Sequence, residues 1–172
     1  MTGLLSAPPD FERRVFGIFE RYSQDSKGRG WDYNPENYNA RIEAISPGSG
    51  SSDSSPPSVA FRFIVTEDMC NYTHHLHGGC VTTILDTLSS IFLVALSKPG
   101  LYSLGGVSRH LHTTYLRPIP VGKEVRLVCS LKHAGKKLVL LKANLYRVDD
   151  DRLCVIGINE KANTDPPRES KI

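Results

Sequence analysis

The sequence lacks the features that would place it in several common classes. Its four cysteines, Cys70, Cys80, Cys129 and Cys154, are too few and too far apart for a disulfide scaffold. None stands at the two-residue spacing of a zinc site, so they read as reduced core thiols. No uninterrupted apolar run reaches the roughly 18 residues of a membrane span. The best candidate, Cys80 to Leu96, is short and contains Asp86. With 21 basic and 18 acidic side chains the net charge is only +3, and the basic residues are scattered. A nucleic-acid binder would show a basic stripe. The N-terminus has no charged-then-apolar secretory layout, which makes an intracellular protein the expectation.

The 172 residues, 40% of them hydrophobic, suffice for one core but not two. Residues 1–40 read as an N-terminal helix and an irregular extension. Asp10 suits an N-cap, and Phe11, Val15, Ile18, Phe19 and Tyr22 share one helical face. Asp10, Glu12 and Glu20 argue against a mitochondrial address. Residues 28–40, rich in Gly, Asn and aromatics, are expected to cross a groove. A first strand at 41–46 leads into 46–58, which is Ser, Pro and Gly with one Asp and reads as a flexible loop. Val59, Phe61, Phe63 and Val65 then alternate as a second strand.

One long helix is predicted from His77 or Gly78 to about Ser97, with Val81, Ile84, Leu85, Leu88, Ile91, Phe92 and Ala95 in helical rhythm. It is apolar on nearly all sides, as a central helix must be, and Lys98-Pro99-Gly100 stops it. Four further strands follow at about 106–117, 123–133, 137–149 and 152–163, and the end from 165 to 172 is a polar tail. The predicted class is α+β: an antiparallel sheet of about six strands wrapped around one long central helix, with an N-terminal helix outside it.

Chemistry concentrates between Asn71 and Asp86. Gly78 and Gly79 open the central helix, so free amides and the positive end of its dipole point outward, where a carbonyl oxygen gaining charge would be stabilised. Asp86 is the only charged residue between His77 and Lys98, and a carboxylate on an apolar helix is costly unless paired or used. His74, His75 and His77, or His110 and His112, have ligand-like spacings. Strand alternation puts His110 and His112 on one face with Ser108 beside them. No carboxylate or cysteine stands at a matching spacing, so no metal site is expected.

Residues 71–86, followed by Gly105-Gly106-Val107-Ser108 and Thr114-Tyr115-Leu116-Arg117-Pro118, resemble the hotdog-fold acyl-CoA thioesterases of the phenylacetate-degradation-protein and thioesterase-superfamily-member type. The resemblance covers roughly residues 41–164. It implies that Gly78 donates its N–H to a thioester carbonyl, that Asn71 and His77 shape that turn and help position the carbonyl, and that Asp86 acts as general base or nucleophile. Ser108 would hold the attacking water or orient Asp86. The Ser-rich insertion and Thr87, where relatives often carry Asn, depart from the family pattern. The implied reaction needs no cofactor.

The CoA phosphates call for basic partners, and strand-end and hairpin positions nominate Arg117, Lys136 and Lys137. An alternative is a non-catalytic acyl-CoA binding protein of the same fold, which would have no need of Asp86. Gly78 and Asp86 are eight residues apart, about 12 Å on one helix, so a homodimer sharing its sites is expected, with a dimer of dimers as its further assembly. Ser170-Lys171-Ile172 is one conservative change from the Ser-Lys-Leu signal, so the expected location is cytoplasmic or peroxisomal rather than mitochondrial. Because 46–58 has no apolar area to bury, shortening it should leave a soluble, active protein with almost unchanged melting behaviour. An insoluble product would show that this loop is packed.

Overall fold

The computed structural model describes residues 4–25, 39–48 and 55–166. Most of the predicted irregular extension at 28–40, the middle of the Ser-rich loop and the terminal Ser-Lys-Ile lie outside the described residues. The elements in chain order are α1 (Phe11–Asp25), β1 (Arg41–Ser46), β2 (Ser58–Ile64), a 3-10 turn (Glu67–Met69), α2 (Gly78–Leu96), β3 (Val107–Tyr115), β4 (Glu124–Ala134), β5 (Leu138–Arg147) and β6 (Leu153–Ala162). These bounds follow the hydrophobic periodicity of the sequence closely.

The strands form one six-stranded sheet in the order β1-β2-β4-β5-β6-β3, every neighbouring pair antiparallel. Consecutive hairpins account for β1-β2, β4-β5 and β5-β6. β3 departs from simple succession, since the chain leaves α2 and enters the sheet at the far edge, beside β6. α2 is long and apolar enough to cross a membrane by length and composition, but 61% of its most apolar window is buried inside the protein, as in a core helix. Its Ile84, Leu85, Leu88, Ile91, Phe92, Leu93, Ala95 and Leu96 are buried among Val59, Phe61, Phe63, Val125, Leu127, Cys129, Leu141 and Leu145 of the sheet.

The N-terminal helix docks on this core by the predicted face. Phe11 meets Phe92 edge-on at 6.2 Å and Phe19 stacks on Phe61 at 5.8 Å. Arg14 Nη2 donates to the carbonyls of Val94 (3.2 Å) and Ser97 (3.0 Å), placing a cation on the C-terminal end of α2, where the dipole is negative. On the outer face of the sheet, charged side chains alternate across strands: Glu43 binds Arg62 and Arg126, and Glu124 binds Arg41 and Arg62.

Two local features set how α2 sits on the sheet. Gly157 in β6 faces Leu85, and a Cβ there would come within 2.9 Å of both the Leu85 side chain and the Ala143 carbonyl oxygen. The missing side chain lets helix and sheet approach closely. In β3 a bulge interrupts the register between Ser108 and His110. Gly157→Val should therefore destabilise the protein by about 1–3 kcal/mol through overpacking. Urea denaturation measures this directly, and an unchanged midpoint would mean that α2 is not held tightly at this point.

Candidate active site

The loop before α2 is built around Asn71. Its Oδ1 accepts hydrogen bonds from Thr73 N (3.0 Å), Thr73 Oγ1 (2.7 Å) and His75 N (3.2 Å), while its backbone N–H donates to His75 O at 2.8 Å. Asp and Asn favour this kind of side-chain-closed turn. The turn carries His74 in the left-handed region, at φ 57°. His77 ends it: its N–H donates to Met69 O at 2.9 Å, and its Nδ1 accepts from Gly79 N at 3.0 Å. His77 is thus the N-cap of α2. That cap uses the Gly79 amide and leaves Gly78 N–H, at the first helical position, among the donors that a helix cannot satisfy internally.

Gly78 borders a cleft of about 340 Å³ whose wall also includes Asn71, His75, Val81, Tyr115 and Arg117. The Tyr115 hydroxyl donates to Gly78 O at 2.8 Å and lies 2.9 Å from Thr82 Oγ1. A Cβ on Gly78 would meet the Tyr115 ring at 3.2 Å, so glycine lets the aromatic ring close over the helix start. Arg117 is pinned at the cleft rim by its bond to Leu153 O at 2.6 Å.

The second cluster surrounds Asp86. Oδ1 accepts from Ser108 Oγ (2.6 Å) and Asn159 Nδ2 (2.9 Å), with Lys161 Nζ 3.5 Å away. Lys161 Nζ also donates to Ser90 Oγ (2.7 Å) and Ser108 Oγ (2.9 Å). The Lys161 side chain is only 5% exposed, whereas that of Asp86 is 40% exposed. Burial pushes the Lys161 ammonium below its ordinary range, and the adjacent Asp86 charge opposes that shift only in part.

The β3 bulge makes this cluster possible. Ser108 pairs with Lys161 and Leu111 with Asn159, both inward positions on β6, although 108 and 111 differ in parity. The extra residue, Arg109, turns His110 and His112 to the outer face. The expectation that Ser108 stands beside His110 and His112 is therefore corrected, because simple alternation does not survive a bulge. The two histidine rings lie 6.4 Å apart. Among the described residues no group of three His, Cys, Asp or Glu is placed to hold a metal ion.

The predicted residues thus fall into two groups, Asn71, His77, Gly78 and Arg117 near the cleft, and Asp86 with Ser108 further along α2. Lys136 and Lys137 join neither. They occupy the β4–β5 turn, where their carbonyls accept from Asn163 Nδ2 (3.1 Å) and Asn163 N (2.8 Å). The Tyr102 hydroxyl bonds Gly135 O in the same turn at 2.8 Å, which ties it to the loop after α2, at the end opposite Gly78. The sequence reading missed Asn159 and Lys161. Pairing of β6 with β3 and β5 is what turns them inward, at the same parity as Val155 and Gly157, where a polar residue must have a partner.

The sheet wrapped around α2 is the hotdog fold, and comparison with known proteins agrees. The family model described as thioesterase superfamily matches residues 73–154. Acyl-coenzyme A thioesterase 13 of Mus musculus is 26% identical over 106 residues, covering 62% of this chain and 73% of that protein. The crystal structure of zebrafish thioesterase superfamily member 2 superposes with a TM-score of 0.70 at 19% identity, covering 87% of this chain and 97% of that one. A hypothetical thioesterase protein with coenzyme A from Streptococcus pneumoniae gives 0.61 at 20% identity, covering 74% and 90%.

The Asn71 turn can be tested separately from any activity. Asn71→Asp keeps the oxygen that accepts three hydrogen bonds, whereas Asn71→Ala removes it. Amide exchange at Thr73 and His75 should speed up in the alanine variant and stay near wild type in the aspartate variant. Equal exchange in both variants would show that Oδ1 does not hold the turn.

Proposed function

We propose that the protein is an acyl-CoA thioesterase that hydrolyses an acyl-CoA thioester to a free carboxylic acid and CoA. The observation that carries this reading is the division of labour on the Asp86 carboxylate. Oδ1 takes hydrogen bonds from Ser108 and Asn159, whereas Oδ2 has no partner among the described residues and belongs to a half-exposed side chain. One oxygen is held while the other is left to act.

In this reading the thioester carbonyl accepts from Gly78 N–H at the positive end of α2, in the turn shaped by Asn71 and capped by His77. Asp86 Oδ2 removes a proton from water, and the hydroxide oxygen adds to the carbonyl carbon. The resulting oxyanion rests on Gly78 N–H. Its collapse breaks the C–S bond, and the CoA thiolate takes the proton held by Asp86. The nucleophilic alternative, attack by Asp86 itself to give an anhydride that water then opens, uses the same oxygen. In a single turnover in isotopically labelled water, a product carrying no label identifies the anhydride route, because its second oxygen then came from Asp86 when water opened the anhydride at the Asp86 carbonyl. Arg117 at the cleft rim suits a phosphate of CoA.

The two halves of the machinery belong to different copies of the chain in this reading. Gly78 and Asp86 are about 12 Å apart along α2, whereas reacting groups must be within about 3 Å of their target. α2 leaves a half-exposed line through Thr83, Asp86, Thr87, Ser90 and Val94, and β3 is the sheet edge among the described residues, with no strand paired to its outer side among them. A twofold-related copy laid against both would bring Gly78 and Asn71 of one chain to Asp86 and Ser108 of the other.

The test is release of CoA thiol from a panel of acyl-CoAs of increasing chain length and with aromatic acyl groups. Wild-type protein should release thiol, and Asp86→Asn should lower kcat by about 10²–10⁴ with little change in KM. Binding of acyl-CoA with no thiol release by the wild type would make this a binding protein, and an undiminished Asp86→Asn rate would remove Asp86 from the chemistry.

A further inference from the structure

Lys161 is nearly buried and plays no part in the scheme above. Lysine is seldom buried this deeply unless it is paired, so its place in β6 calls for a reason. Counting protons gives one. A carboxylate only accepts, so the 2.6 Å bond between Ser108 Oγ and Asp86 Oδ1 uses the single hydroxyl proton of Ser108. The 2.9 Å contact between Lys161 Nζ and Ser108 Oγ must then run from the ammonium to the serine lone pair. Ser90 is in the same condition: its proton goes to Asp86 O at 2.6 Å, and its oxygen accepts from Lys161 at 2.7 Å. Lys161 thereby fixes both hydroxyls in one rotor and holds its charge 3.5 Å from Oδ1.

We propose that Lys161 is a positioning residue of the reaction: by donating to Ser108 it locks the serine proton onto Asp86 Oδ1, and it supplies the counter-charge for the carboxylate. This rests on the reading of Asp86 as the reacting carboxylate. Without the lock the Ser108 hydroxyl is free to turn away, and Oδ1 and Oδ2 become exchangeable, so the reactive oxygen is no longer aimed. The groups facing Lys161 are few. α2 presents Asp86 and Ser90, β3 presents Ser108, and the β5 residue in register is Val139. Glu160 and its partner Arg109 point to the other face of the sheet. Asp86 is therefore the one charge facing it among the described residues.

Because burial lowers the affinity of Lys161 for its proton, its charge is lost at a pH below the ordinary lysine range. A neutral amine retains two hydrogens, enough for Ser90 and Ser108, so the fold persists while the counter-charge disappears. The alkaline limb of the rate profile should then report Lys161 rather than unfolding.

The experiment compares wild type with Lys161→Met, Lys161→Arg, Ser108→Ala and the Ser108→Ala/Lys161→Met double variant, with kcat and KM measured from pH 5 to 10 and melting recorded alongside. Lys161→Met should lose roughly 10- to 100-fold in kcat at nearly constant KM and should lack the wild-type alkaline limb. Lys161→Arg, with a charge that does not titrate in this range, should move that limb upward. Since Lys161 acts through Ser108, the double variant should be no slower than the slower single one. A wild-type kcat and pH profile in Lys161→Met, or losses that multiply in the double variant, would overturn the proposal. If Lys161→Met does not fold, the arginine variant decides alone, and an unmoved alkaline limb refutes the assignment. Asp86→Asn separates the two readings: if it stays active, the Asp86 mechanism fails whatever Lys161 does.

Discussion

A carboxylate halfway along an apolar helix is the constraint on which the architecture turns. Asp86 stands where the packed face of α2 meets its half-exposed line, so its inner oxygen faces the sheet and needs partners there. The solution is spread over two strands. β6 brings Asn159 and Lys161, β3 brings Ser108, and Gly157 clears the space that lets α2 come close to the sheet. The bulge after Ser108 makes this compatible with a β3 whose later residues, Leu111, Thr113 and Tyr115, also face inward. Removing the extra residue would turn either Ser108 or the later inward residues toward solvent.

The same helix imposes a second limit. Its N-terminus offers Gly78 N–H beside the Asn71 turn, while the carboxylate lies two turns further on, and a helix cannot bend to bring them together. In the proposed mechanism each chain therefore holds an oxyanion-binding half and a base-bearing half that serve different substrates. The edge position of β3 and the half-exposed line along α2 are the surface on which, in that proposal, a second copy would complete both halves. Burial of that line would also dehydrate Asp86 on its open side, strengthening the electrostatics on which thioester hydrolysis would depend.

The fold was largely legible in the sequence because its signals are periodic. α2 and β4 follow strict apolar rhythms, and the N-terminal helix docks by the very face that its spacing marks. The edge placement of β3 was not legible, since it depends on tertiary pairing with β6 rather than on any local pattern. At the site, Asn71, Gly78 and Asp86 stood out as isolated chemical exceptions in otherwise regular segments. Asn159 and Lys161 did not, because the strand direction that turns them inward is fixed only when β6 pairs with its neighbours. The bulge was invisible for a similar reason, and it alone separates Ser108 from the two histidines. Lys136 and Lys137, chosen for a hairpin position that suits phosphate binding, lie by the end of α2 opposite Gly78, apart from both clusters.

The most direct test of a site completed across two copies is complementation in a purified heterodimer of differently tagged chains, one carrying Asp86→Asn and the other Asn71→Ala. Each homodimer has two damaged sites, whereas the heterodimer has one intact site and one doubly damaged site. With independent sites the heterodimer should hydrolyse acyl-CoA at about half the wild-type rate per dimer while both homodimers stay nearly inactive. A heterodimer as inactive as its parents would contradict the account, because it would mean that Asn71 and Asp86 must come from the same chain.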